Sequence, residues 1–180
     1  MATVVIVDDE PNVLSALRRM FLNGAIPPAL SDLTVVTFSS PVPALAYVGA
    51  HKVELVLSDY RMPEMDGAAL LTRVRDLQPD AARMIMSAYT DLDGIIRAIN
   101  SAGIFRFVSK PWSDPDLKAA IRDVLAHRDL LIENRRLADE LRWQRGVITE
   151  QQLELERLER ESPGITRVRW ADNGGVLLQD

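Results

Sequence analysis

The sequence predicts a doubly wound α/β domain with a five-stranded parallel sheet, followed by a long C-terminal helix. Three observations carry this reading. Short, mainly β-branched apolar runs recur at 4–7, 33–38, 53–57, 83–86 and 104–108, each of strand length. Segments with helical spacing lie between them, as in Val13, Leu14, Leu17 and Met20, then Ala69, Leu70, Val74 and Leu77, then Ile95, Ile96 and Ile99. Strands and helices that alternate in this way build parallel βαβ units. Lastly, polar residues fall just past the strands: Asp8 and Asp9 after the first, Asp59 after the third, Ser87 after the fourth, Lys110 after the fifth. Five strands and five helices complete a domain over 1–126.

The fifth helix has no reason to stop there. Between Pro115 and Pro163 no further proline occurs and the only glycine is Gly146, so a helix of up to about 45 residues is expected. From Leu130 a heptad is visible, with Asn134, Leu141, Ile148 and Leu155 at a and Leu130, Leu137, Gln144, Gln151 and Leu158 at d. Such a seam pairs helices, and a polar residue at one a position fixes their register. The expectation is a homodimeric coiled coil over 127–162. Beyond it, ITRVRW and VLLQD flank the turn-forming ADNGG, which predicts a small β-hairpin tail over 163–180.

Composition narrows the function. The chain of 180 residues carries 21 Lys+Arg against 26 Asp+Glu, a formal charge of -5, so it has no basic field for nucleic acid or an anionic membrane. It contains no cysteine, which excludes disulfides and thiolate metal sites. The N-terminal MATVVIVDDE turns acidic too early for a signal peptide, and no run approaches the roughly 18 apolar residues of a membrane span. A soluble cytoplasmic protein is expected.

The acidic residues define the chemistry. In open parallel sheets ligands bind outside the carboxyl ends of the strands, at the point where strand order reverses. If the order is 2-1-3-4-5, strands one and three are neighbours and Asp8, Asp9 and Asp59 converge. Clustered carboxylates repel one another, and a hard divalent cation such as Mg²⁺ relieves the repulsion through oxygen ligands, waters and phosphate. A carboxylate beside Mg²⁺ suits phosphoryl transfer, which asks mainly for positioning and charge neutralisation. One aspartate of the set can then serve as the nucleophile, with Lys110 as a point cation and the Ser87 hydroxyl as a hydrogen-bond donor.

The stretches VVIVDDEPNVL, LVLSDYRMPEMDG, MIMSAYTD and FRFVSKPW resemble, in order and over about residues 2–126, the receiver domain of bacterial two-component response regulators. The resemblance implies a CheY-like, flavodoxin-like fold. It also implies phosphorylation of Asp59 by a histidine kinase or histidine phosphotransfer protein, with Mg²⁺ held by Asp8 or Asp9, Asp59 and the backbone carbonyl of Arg61. Ser87 and Phe107 match the family's switch pair, in which the hydroxyl moves onto the phosphoryl group and the aromatic ring turns inward. Phe107 stands where many members have Tyr. Lys110-Pro111 resembles the family's cis peptide. Arg61 and Tyr89 flank the acceptor at variable positions, and their bulk is expected to shield an acyl phosphate from water.

Output is expected through protein contact, since neither a DNA-binding helix pair nor a cyclase or phosphodiesterase signature follows the receiver. Two other readings are weighed against it. A phosphohydrolase that uses an aspartyl nucleophile on the first strand needs a second Asp two residues on, where this chain has Glu10. A non-phosphorylated coiled-coil adaptor would have no use for the intact acidic set.

Overall fold

The computed structural model of the chain describes residues 2–23, 33–88 and 102–161. Its elements are β1 (Ala2–Val7), α1 (Pro11–Asn23), β2 (Leu33–Phe38), α2 (Pro41–Ala50), β3 (Leu55–Asp59), α3 (Gly67–Leu77), β4 (Ala82–Ser87), β5 (Arg106–Ser109) and α4 (Asp114–Glu161). The five strands form one parallel sheet in the order β2-β1-β3-β4-β5. The predicted class and strand order are therefore observed. The helical segment at Ile95, Ile96 and Ile99, Tyr89, and the 163–180 hairpin lie outside the described residues.

The central strands read as continuous apolar runs because both of their faces are covered. Every residue of β3 and β4 is buried, whereas the edge strand β2 is half-buried along its length. Alternate residues feed two cores. Val4, Ile6, Leu55, Leu57, Met84 and Met86 pack with Leu17 of α1 and Leu117 and Ile121 of α4. Val5, Val7, Val56 and Ile85 pack on the opposite face with Val48 of α2 and Leu70, Leu71 and Val74 of α3.

Strand limits differ from the sequence reading by about two residues. The run at 53–57 becomes Leu55–Asp59, because Val53 gives its N–H to the Gln78 side chain at 3.0 Å. That shift brings Asp59 into the strand itself. The segment entering β5 is fixed by a residue hidden in an apolar run. Arg83, 6% exposed, donates from Nε to the carbonyls of Ala102 (2.8 Å) and Gly103 (3.3 Å) and from Nη1 to those of Ala81 (2.7 Å) and Pro79 (3.2 Å). Gly103 has φ +60, a backbone region that glycine enters without strain. Burial lowers the Arg83 pKa, and the carbonyl oxygens supply the partners that a buried cation requires.

Two compact units are present, Met1–Ile132 and Glu133–Asp180. In the first, the start of α4 is tied down by Arg128, whose Nε donates to the Asp80 carbonyl at 2.7 Å, and by His127, edge-on to Phe105 at 5.8 Å. In the second, the helix shows i,i+3 ion pairs from Arg136 to Glu133 and from Arg142 to Asp139. Among the described residues, no helix is long and apolar enough to cross a membrane.

Candidate functional site

The predicted residues meet at the carboxyl edge of the sheet. Val7 is paired with Ser58 across β1 and β3, so the next residues on the two segments, Asp8 just past β1 and Asp59 at the end of β3, come side by side. Asp8 is fully buried. Its N–H donates to the Phe38 carbonyl at 3.1 Å, and its Oδ1 accepts from the Glu10 N–H at 2.9 Å, which closes the turn into α1. Asp59 is 6% exposed, and its Oδ2 accepts from the Arg61 N–H at 2.8 Å.

One cation joins the two carboxylates. The Lys110 Nζ lies 2.7 Å from Asp8 Oδ2 and 2.5 Å from Asp59 Oδ1. The Lys110 N–H donates to the Ser87 carbonyl at 2.8 Å, so the end of β4 delivers the lysine, and the Lys110-Pro111 bond is cis. Burial pushes the Asp8 carboxyl above the ordinary carboxylate value, against the opposing pull of Lys110 and the Glu10 N–H. Burial also pulls the Lys110 ammonium down, but its contacts with Asp59 and Asp8 outweigh this and raise it.

A cleft of about 320 Å³ opens above this pair, lined by Asp9, Glu10, Asp59, Arg61, Ser87, Ala88 and Lys110. Asp9 and Arg61 are exposed there, and Ser87 is 3% exposed. Phe107 sits on β5 opposite Ile85, half-buried against the α2–α3 core. It also lines a second cleft of about 320 Å³ with Trp112, Pro111 and Leu117. Sequence reasoning used Glu10 to argue against a phosphohydrolase and left it out of the site. Its carboxylate stands 3.8 Å from Lys110 Nζ, and its place directly after two aspartates is the signal that could have found it.

The floor of the site needs a residue without a side chain. A Cβ on Gly67 would land on the Asp59 carbonyl oxygen. The Gly67 N–H donates to the Tyr60 carbonyl at 2.9 Å, and Asp66 caps α3 by accepting from the Ala69 N–H at 2.7 Å. Capping thus brings α3 against the acceptor loop, and only glycine permits the approach.

Residues 4–122 match the family model described as response regulator receiver domain. The chain belongs to this family. The chain is 35% identical over 147 residues to the hydrogenase transcriptional regulatory protein HoxA of Cupriavidus necator, a match covering 82% of this chain and 29% of that protein. It is 32% identical over 158 residues to the transcriptional regulatory protein GlrR of Escherichia coli K12, covering 88% of this chain and 32% of that one. The chain therefore spans about a third or less of the length of these relatives. Among solved structures, the signal receiver domain of an HD domain-containing protein from Pseudomonas fluorescens Pf-5 superposes with a TM-score of 0.65. Its identity is 30%, covering 73% of this chain and 92% of that one.

Proposed function

We propose that this receiver accepts a phosphoryl group on Asp59 from a histidine kinase or histidine phosphotransfer protein, and that the state of Asp59 controls a coiled-coil homodimer that acts on a protein partner. The observation that carries the reading is the shared cation. Two buried carboxylates at the carboxyl ends of adjacent strands aim at one point, and Lys110 Nζ stands at it. Carboxylates gathered merely for solubility would not be placed out of water.

The donor set suits a hard cation that keeps several waters. Among the described residues no group of three or more His, Cys, Asp or Glu side chains is placed to hold a metal ion by itself. Mg²⁺ needs only one or two carboxylates, completed by water and phosphate. Asp8 or Asp9, Asp59 and the Arg61 carbonyl would hold it. Bound there, it would offset charge on the transferred phosphoryl group.

The chain's own groups account for the rest. An Asp59 oxygen attacks the phosphorus of a phosphohistidine, the P–N bond breaks as the P–O bond forms, and the imidazole leaves and takes up a proton. Lys110 turns from its pairing with two carboxylates to the new phosphoryl oxygens, a move its flexible stem allows. The Ser87 hydroxyl donates to the same oxygens, and Phe107 follows into the space it vacates. This two-state motion at the β4–β5 edge is the kind of local change that biases a packed element. The exposed Arg61 covers the cleft against water. DNA contact by the chain itself has no support in its charge of -5.

The test is intact mass after incubation with acetyl phosphate and Mg²⁺, with light scattering on the same samples. One added phosphoryl group is expected in the wild type, none in Asp59→Asn and none with EDTA, together with a change in assembly. Labelling of Asp59→Asn to the same extent would overturn the assignment. No label on any variant would leave the coil as a non-phosphorylated adaptor.

A further inference from the structure

The helical part of the second unit leaves an apolar stripe uncovered. Leu137, Leu141, Leu155 and Leu158 of α4 are between 37% and 54% exposed, on one seam at alternating spacings of four and three. The flanking positions limit what can lie on this seam. Those at g are Glu133, Glu140, Glu154 and Glu161, with Val147 between, and Arg145 is at e.

We propose that the stripe is covered by a second copy of the chain lying parallel and in register, with Asn134 facing its own counterpart and Glu140 pairing with the partner's Arg145. The inference rests on the homodimer reading above and adds its orientation. In a parallel coil each g residue faces the e residue five positions on in the partner. In an antiparallel coil g faces g. The antiparallel arrangement therefore sets glutamates against glutamates wherever two of the four meet, and like charges at such positions are unfavourable. The parallel arrangement gives Glu140–Arg145 twice by symmetry, against a single unfavourable type, Glu154–Glu159. Asn134 points the same way. In a parallel coil it meets another Asn, and the two side chains can hydrogen-bond to each other. In an antiparallel coil it faces a d residue, and three of the five d residues here are leucine.

The absence of cysteine makes the test direct. In the full chain, Leu137→Cys and Gln151→Cys are oxidised separately, with Arg136→Cys on the outer face as control. Both d-position variants are expected to run as disulfide dimers while the control stays largely uncrosslinked. Positions two heptads apart cannot both lie at the midpoint of an antiparallel coil, so crosslinking at both requires the parallel register. Light scattering of the reduced samples separates the two possible failures. A reduced dimer without crosslinks at both positions, or with equal crosslinking of the control, overturns the orientation alone. A monomer overturns the dimer reading beneath it.

Discussion

Asp8 sits out of water beside a second carboxylate, with Lys110 between them. Its folded pKa lies above 3.8 because burial penalises the charged form, so the native state holds that proton more tightly than the unfolded chain does. The stability linked to that proton is complete below about pH 3.8 and is lost as pH rises through the higher folded value. At neutral pH the ionised Asp8 therefore costs stability, and Asp8→Asn, which keeps the shape without the charge, should raise the metal-free melting temperature. A gain of about 1 kcal/mol would move it by roughly 2–4 °C in a chain of this size. Thermal melts in EDTA at pH 7 and pH 3.5 should show the gain at the first and lose most of it at the second. Lys110 is raised too, so its contribution is full below pH 10.5 and fades only above that. Gly67→Ala should act differently, by forcing α3 away from the Asp59 carbonyl. A loss of about 3 kcal/mol is expected in denaturant unfolding, with slower labelling of whatever protein stays folded.

At the scale of elements, α4 contributes to two separate assemblies. Its first turns place Leu117 and Ile121 in the sheet core, and Arg128 ties it to the loop before β4 through the Asp80 carbonyl. Arg128→Ala should remove this part-buried hydrogen bond from a buried guanidinium at a cost of about 1 kcal/mol, measurable by urea unfolding, while acceptance at Asp59 persists. Past Ile132 the same helix exposes its leucines. If Glu140 and the partner's Arg145 pair across the seam, Arg145→Glu should weaken the dimer by about tenfold, from two symmetric pairs of up to about 1 kcal/mol each. Glu140→Arg combined with Arg145→Glu should restore it in analytical ultracentrifugation.

For the molecule as a whole, the sheet order does the essential work. β1 and β3 lie side by side only in an arrangement such as β2-β1-β3-β4-β5, and that adjacency turns distant aspartates into one site. Much of this is legible in the sequence, because Asp8, Asp59, Ser87 and Lys110 each interrupt an apolar run at a strand end, where a polar side chain has no packing reason to be. Other parts are not legible. Arg83 reads as the polar start of a strand, and only the fold shows that its partners are carbonyls from two loops. Gly67 reads as turn chemistry, whereas its reason is a carbonyl brought close by tertiary packing. Val53 reads as strand, and a glutamine 25 residues away takes its N–H instead. Periodicity reports burial, and it carries no information about which distant backbone group a side chain will meet. The measurement that tests the central claim most directly is chemical trapping of the acceptor. Protein treated with acetyl phosphate and Mg²⁺ is reduced with borohydride, which converts an aspartyl phosphate to homoserine, and is then mapped by peptide mass. Homoserine at position 59 and at no other aspartate is the predicted result. Homoserine at position 8 or 9, or none despite a phosphoryl adduct on the intact chain, would contradict it.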